Sequence, residues 1–181
     1  MRSDAELAVA FRNGDDGAFT ILYDRYKRAL FVFGSRMLGD GDAACDLVQE
    51  VFLRVFRNRT RIERPERIRA WLFTVARNQC ISTMRKERRG TPLENAPEEA
   101  MAVGPEPSGI EDEQDARLVR TALAAVKDEY REVLVLREYQ GLSYAEIAGI
   151  TGTTEEAVRS RLFKARRAIH DAMKAQVAEE R

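Results

Sequence analysis

The sequence predicts an all-α protein made of two small helical domains, an N-terminal helical bundle and a C-terminal helix-turn-helix domain, joined by a flexible acidic linker. Three observations predict it. Apolar residues recur at helical spacing on both sides of residue 90, with little of the alternation that marks strands. Four of the five prolines (Pro92, Pro97, Pro105 and Pro107) fall within residues 90–116, a composition suited to a tether rather than a core. Charge divides the chain at the same places. Residues 1–89 carry 18 Lys and Arg against 12 Asp and Glu, residues 90–116 carry none against eight, and residues 117–181 carry 12 against ten. A formal net charge of zero therefore hides two mildly basic blocks around one purely acidic stretch. The domains are predicted as 1–89, 90–116 and 117–181.

Taken in order, helices are expected over residues 4–13 and 16–38, separated by NGDD and ended by LGDGD. In DLVQEVFLRVF, Leu47, Val48, Val51, Phe52, Val55 and Phe56 repeat at helical spacing and leave Asp46, Gln49, Glu50 and Arg54 on the opposite face. After the charged loop RNRTRIER, Pro65 stands where a helix can start, and the stripe Ile68, Leu72, Val75 carries it some 20 residues to about Lys86. The second block holds helices near 112–126 and 130–139, then a helical hairpin.

Several function classes lose ground on composition. The two cysteines, Cys45 and Cys80, lack the spacing of a zinc site, and His170 is the sole histidine, so neither a disulfide framework nor a metal centre is expected. An enzyme would need a nucleophile, base or metal cluster that the sequence does not display. The N-terminus lacks the apolar core of a signal peptide, and no run approaches the length of a membrane span. A soluble, cytoplasmic protein without cofactors is expected.

The hairpin YAEIAGITGTTEEAVRSRLF carries the most specific chemistry. Ala148 is followed four positions later by Gly152 and ten later by Val158. A helix-turn-helix needs this arrangement: a small residue for close approach, a glycine for the turn, and an apolar residue that packs the second helix back. Ser143 with Glu146, and Thr153 with Glu156, both fit a capping box. Glu156 is thus expected to cap its own helix, where the dipole favours a carboxylate. Glu155 is left to accept from a cytosine N4 edge, while Arg159, Arg161, Lys164, Arg166 and Arg167 suit backbone phosphates. In the first block, Arg54, Arg57, Arg59, Arg61, Arg64, Arg67 and Arg69 are opposed only by Glu63 and Glu66, and Trp71 and Phe73 follow. Cations beside aromatics suit strands with exposed bases; the alternative is that the aromatics are core residues, the stronger reading for Trp71.

Along the chain, ELAVAFRNGDDGAFTILYDRY, RMLGDGDAACDLVQEVFLRVF, AWLFTVARNQC and REVLVLREYQGLSYAEIAGITGTTEEAVRSRLFKARRAI stand on either side of the acidic linker. In that order they resemble bacterial RNA polymerase sigma factors of the extracytoplasmic-function type, in the sigma-70 family, over nearly the full length. The resemblance implies a promoter-specificity subunit without an active site of its own, with core RNA polymerase, promoter DNA and an anti-sigma factor as partners. It implies that the first block is the region 2 domain, which docks on the polymerase clamp through Asp46, Gln49, Glu50 and Arg54. The same block would recognise and melt the −10 element through the loop residues Arg59, Arg61, Ile62, Glu63 and Arg64, with Arg77, Asn78, Arg85 and Lys86 on the next helix. The second block resembles region 4, the −35 reader, implying contacts from Thr153, Thr154, Glu155, Arg159, Ser160, Lys164 and Arg167. Its helix REVLVLREY would meet the polymerase flap. One departure is visible: Val126 and Lys127 stand where the family often has Leu-Pro.

A flexible tether of 27 residues spans roughly 30 Å, whereas promoter elements about 25 base pairs apart lie about 85 Å apart. The linker is therefore expected to be stretched along polymerase, and its carboxylates to screen the basic faces of the free protein. The rival reading is a stand-alone helix-turn-helix transcription regulator that acts without polymerase. A structural adaptor is disfavoured by the capped helices around a glycine turn.

Overall fold

The computed structural model describes residues 2–90 and 113–179. The expectations for the acidic linker fall mostly on residues 91–112, outside the described residues. Among the described residues eight helices form: α1 Asp4–Arg12, α2 Asp16–Leu38, α3 Gly41–Arg57, α4 Ile68–Arg88, α5 Glu113–Ala124, α6 Asp128–Glu138, α7 Tyr144–Thr151 and α8 Glu155–Glu179. Two 3₁₀ turns, Arg59–Arg61 and Pro65–Arg67, lie between α3 and α4. Among the described residues there is no strand.

Side chains at the helix starts explain the boundaries. Ser3 and Glu6 form a capping box on α1, Asp15 accepts from the Ala18 N–H at 3.0 Å, and Asp40 accepts from the Ala43 N–H at 2.8 Å. Each satisfies a backbone donor that would otherwise face water unpaired. Pro65 opens a single 3₁₀ turn, and the α-helix itself starts at Ile68, three residues later than the proline suggests.

In the first block, α1 to α4 bury Phe11, Leu30, Phe33, Val51, Leu72 and Phe73. Phe33 and Phe73 meet edge to face with centroids 5.8 Å apart, a geometry that places a positive ring edge on a negative face. The predicted apolar stripe of α3 goes inside except for Phe56, which stays 36% exposed at its margin. In the second block, Val133, Leu136, Leu142, Ile147, Val158 and Leu162 form a compact core. The two blocks also touch: α2 packs on α6 and α4 on α7.

Candidate nucleic-acid and protein interfaces

On α3, Asp46 and Gln49 are exposed and Glu50 is half-buried, hydrogen-bonded by the Arg54 guanidinium one turn on. The apolar face of α3 is occupied by the core, so the polar residues have nowhere to go but outward. Leu53 shares their side of the helix and is 49% exposed. Sequence periodicity did not single it out, because it lies outside the apolar stripe; its exposure alone distinguishes it.

The loop after α3 is held from beneath. Ile62 is buried, 5% exposed, and its carbonyl accepts from Arg12 Nη1 at 3.1 Å. Its side chain thus anchors the loop, while Arg61, Glu63 and Arg64 project into solvent around it. Arg59 lies over the Phe56 ring at 5.0 Å. Arg61, Arg64, Arg67, Trp71 and Thr74 line a cleft of about 280 Å³, with Gly149 of α7 on its rim. Trp71 is half-buried at this cleft, and Phe73 is a core residue. On α4, Asn78, Arg85 and Lys86 are exposed. Arg77 is not free beside them: its Nε and Nη2 donate to Glu132 of α6 at 2.8 and 3.3 Å.

The helix-turn-helix forms as its spacing predicts. Gly152 ends α7 in the left-handed region, φ 68°, its N–H donating to the Ala148 carbonyl; Ala148 and Val158 are buried at the contact. The Ser143–Glu146 capping box is present, with the Ser143 N–H donating to Glu146 at 2.8 Å. That backbone bond, chiefly, and the Ser143 hydroxyl hold the Glu146 carboxyl below its usual range against a smaller desolvation effect.

The second predicted box does not form. Thr154, not Thr153, caps α8, its hydroxyl accepting from the Ala157 N–H at 3.1 Å. Thr153 instead bonds the hydroxyl of Thr151 at 3.0 Å. Glu156 is then at the second position of the helix, exposed, one residue short of the box position. The tandem threonines allow either register, and the turn geometry at Gly152 decides.

On α8, Glu155, Arg159, Ser160, Lys164 and Arg167 lie exposed along one surface, joined by Phe163 at 69% exposure. Lys164 Nζ sits 5.6 Å from the Tyr130 ring and the Arg159 guanidinium 6.0 Å from that of Tyr144. Two arginines expected on phosphates are occupied otherwise. Arg161 turns inward to Glu129 at 3.5 Å and Glu132 at 3.9 Å, and Arg166 pairs with Glu138 at 2.7 Å. A helical basic run wraps around the axis, so only part of it can share one face. Behind α8, Val119, Leu123, Leu134, Tyr139, Ile169 and Met173 line an apolar groove of about 390 Å³.

Among the described residues no helix is long and apolar enough to cross a membrane, and no group of three or more His, Cys, Asp or Glu residues is placed to hold a metal ion. The family model for Sigma-70 region 2 matches residues 22–90, and that for Sigma-70, region 4 matches residues 116–169. The ECF RNA polymerase sigma factor SigL of Mycobacterium tuberculosis is 36% identical over 159 residues, covering 82% of this chain and 84% of that protein. The ECF RNA polymerase sigma-E factor of Escherichia coli is 30% identical over 177 residues, 92% of each. Among solved structures, CnrH in complex with the cytosolic domain of CnrY superposes with a TM-score of 0.72 at 25% identity, over 95% of this chain and 97% of that one. The sigma factor RpoE, in complex with the anti-sigma factor NepR from Bartonella quintana, gives 0.69 at 29% identity, over 86% and 96%. With both blocks matched in order and relatives aligned across nearly their whole length, the chain belongs to the sigma-70 family of RNA polymerase sigma factors, in its extracytoplasmic-function group.

Proposed function

We propose that this chain is the promoter-specificity subunit that binds core RNA polymerase and directs initiation at promoters with −10 and −35 elements, acting in the cytoplasm and without catalysis of its own. The observation that carries the reading is the separation of two exposed faces, an acidic one on α3 and a basic one on α8, each on a block that matches its own region of the family.

Asp46, Gln49 and Glu50, with Arg54 steadied by Glu50, make the face for the polymerase clamp. Leu53 adds apolar area within that charged patch, which a partner surface would remove from water. Arg59, Arg61, Glu63 and Arg64 present the −10 loop, Ile62 fixing it from inside, and the cleft beside Trp71 offers a place for an unstacked base. Asn78, Arg85 and Lys86 continue the surface along α4. In the −35 element, α8 enters the major groove: Glu155 and Ser160 face base edges, Arg159, Lys164 and Arg167 face phosphates, and Thr153 and Thr154 hold the turn. The apolar groove behind α8 suits an amphipathic helix of the polymerase flap. One relative of similar structure, the sigma factor RpoE, is bound by an anti-sigma factor, and an inhibitor of that class is the expected regulator here.

Transcription in vitro with core polymerase over a promoter library tests the reading. Promoter-dependent transcripts that require this chain are expected. A DNA footprint that forms equally well without core enzyme would instead support a stand-alone regulator.

A further inference from the structure

The exposed face of α8 carries fewer free cations than its sequence offers, because Glu129, Glu132 and Glu138 engage Arg161 and Arg166. Beside it, two rings are each shared by two cations. Tyr144 of α7 has Arg159 at 6.0 Å and Arg137 at 5.2 Å from its centroid, and Arg137 already donates to the Leu142 carbonyl at 2.8 Å. Tyr130 of α6 has Lys164 at 5.6 Å and Lys127 at 6.0 Å.

Lys127 is the member of this arrangement that the fold does not account for. It stands exposed at the N-cap of α6, where its side chain makes no capping hydrogen bond. A cation at that end opposes the helix dipole. The acidic side chains next to it are already taken: Asp128 is held by Arg131 at 3.0 Å and also pairs with Arg88, while Glu129 pairs with Arg161 at 3.5 Å. Neither Lys127 nor Lys164 forms an ion pair among the described residues.

The Tyr130 ring attracts both ammonium groups but carries no net charge to neutralise them. Two uncompensated cations gathered at one ring repel each other unless an anion joins them. Their nitrogens stand at most about 12 Å apart, fewer than four steps of a DNA strand that carries one phosphate per about 3.4 Å of axis. Both can therefore reach phosphates of one strand, and Lys164 already lies on the surface that α8 turns toward DNA.

We propose that Lys127 is a further phosphate contact of the −35 reader, held with Lys164 at the Tyr130 ring, so that the DNA-binding surface extends from α8 onto the start of α6. The proposal rests on the sigma-factor reading for its ligand, the DNA backbone at the −35 element. Tyr130 is a positioning residue, which keeps the two cations where one strand can meet both. Lys127 also stands where the family often has proline. Its φ of −54° suits a proline, whose ring fixes φ near about −65°. The local backbone therefore does not require the lysine, and its charge is what the departure from proline supplies.

Binding of core polymerase carrying the full-length chain to a duplex promoter, measured across a salt series, tests the contact. Lys127→Gln should make the slope of log affinity against log salt shallower by about 0.9, the loss of one phosphate. The change should be the same for every −35 sequence tried. The melting temperature of the chain should hold or rise, because a cation leaves the helix start. Lys127→Pro should act in the same way. In a Tyr130→Leu background the effect of Lys127→Gln on affinity should shrink, and in Tyr130→Phe, which keeps the ring, it should remain in full. A slope unchanged by both Lys127 variants overturns the proposal, as does an altered −35 preference, which would make Lys127 a base reader. Equal effects in the Tyr130→Leu and Tyr130→Phe backgrounds remove Tyr130 from the arrangement. Promoter binding that does not depend on the wild-type chain fails the sigma-factor reading and this contact with it, whereas chain-dependent binding with an unchanged slope fails the contact alone.

Discussion

One hydrogen bond reassigns two neighbouring residues at the start of α8. Because the Thr154 hydroxyl takes the Ala157 N–H, Thr154 is the cap and Glu156 is a solvent-exposed residue that feels only the helix dipole. Thr154→Ala should cost about 1 kcal/mol in urea unfolding, and Glu156→Ala about 0.3 kcal/mol, at the weak end of dipole effects for an exposed group; equal losses would return the cap to Glu156. Glu155 accepts no protein hydrogen bond among those described and shares only the same dipole effect, so Glu155→Ala should cost no more than Glu156→Ala in unfolding but alter −35 preference in a promoter selection. The Ser143 box was legible in the sequence because only one register exists there, whereas Thr153 and Thr154 offer two. Cysteine reactivity also belongs at this scale. Cys80 is fully buried, and burial, with the charge of Glu132 adding to it, pushes its thiol up to about 12; Cys45 is half-buried and raised less far. A thiol reagent should therefore modify Cys45 alone in the native chain, more slowly than free cysteine, and both thiols in denaturant. Equal native rates at the two would show that Cys80 is uncovered on the timescale of the reaction.

Between elements, the crossing of α2 on α3 depends on Gly34. A Cβ there would stand 2.6 Å from Leu47 Cδ2 and 3.3 Å from the Ala44 Cα. The leucine tip can move, but the helix backbone beside it cannot. Gly34→Ala should gain about 0.5 to 1 kcal/mol in helix propensity and lose about 1 to 3 kcal/mol to overpacking, a net fall visible in thermal melting; a rise would mean that the helices part freely. The sequence shows Gly34 inside a helical stripe but cannot show that another backbone lies against it. The cap of α7 carries a pH signature. Glu146 is held below its usual range in the folded chain, so its stabilisation is fully present above about pH 4.3, the ordinary glutamate value, and is lost as pH falls from there through the lower folded value. The stability gap between wild type and Glu146→Ala should be widest at neutral pH and close in acid. It should be modest in size, because the side chain is partly exposed and water screens it. At α6, where Val126 and Lys127 replace the common Leu-Pro, the helix begins at Asp128 with no side-chain cap, and Arg131 reaches back to the Val126 carbonyl at 3.1 Å and to Asp128 at 3.0 Å. That substitute was invisible in the sequence, since nothing marks Arg131 as bridging rather than solvated.

For the whole molecule, the sigma-factor reading places its polymerase contact on α3, away from the seam between blocks. Asp46→Arg with Gln49→Ala should weaken binding to core polymerase at least tenfold, about 1.4 kcal/mol, with an unchanged melting profile; undiminished binding would move the clamp contact elsewhere. The sequence by itself determined the helices, the two blocks, the glycine turn and the outward faces of α3 and α8. These depend on periodicity, capping and turn chemistry, all written within a few residues of one another. Only the tertiary structure decided which charges remain free. Arg77, Arg131, Arg161 and Arg166 read in the sequence as members of basic or mixed-charge stretches, yet each is claimed by a partner that folding brings to it. Arg77 finds Glu132 across 55 positions and Arg131 finds the Met37 carbonyl across 94, through the packing of α4 on α7 and α2 on α6. Charge is a property of a residue, but its compensation is a property of the packing, because a desolvated ion takes whichever opposite charge the fold sets beside it.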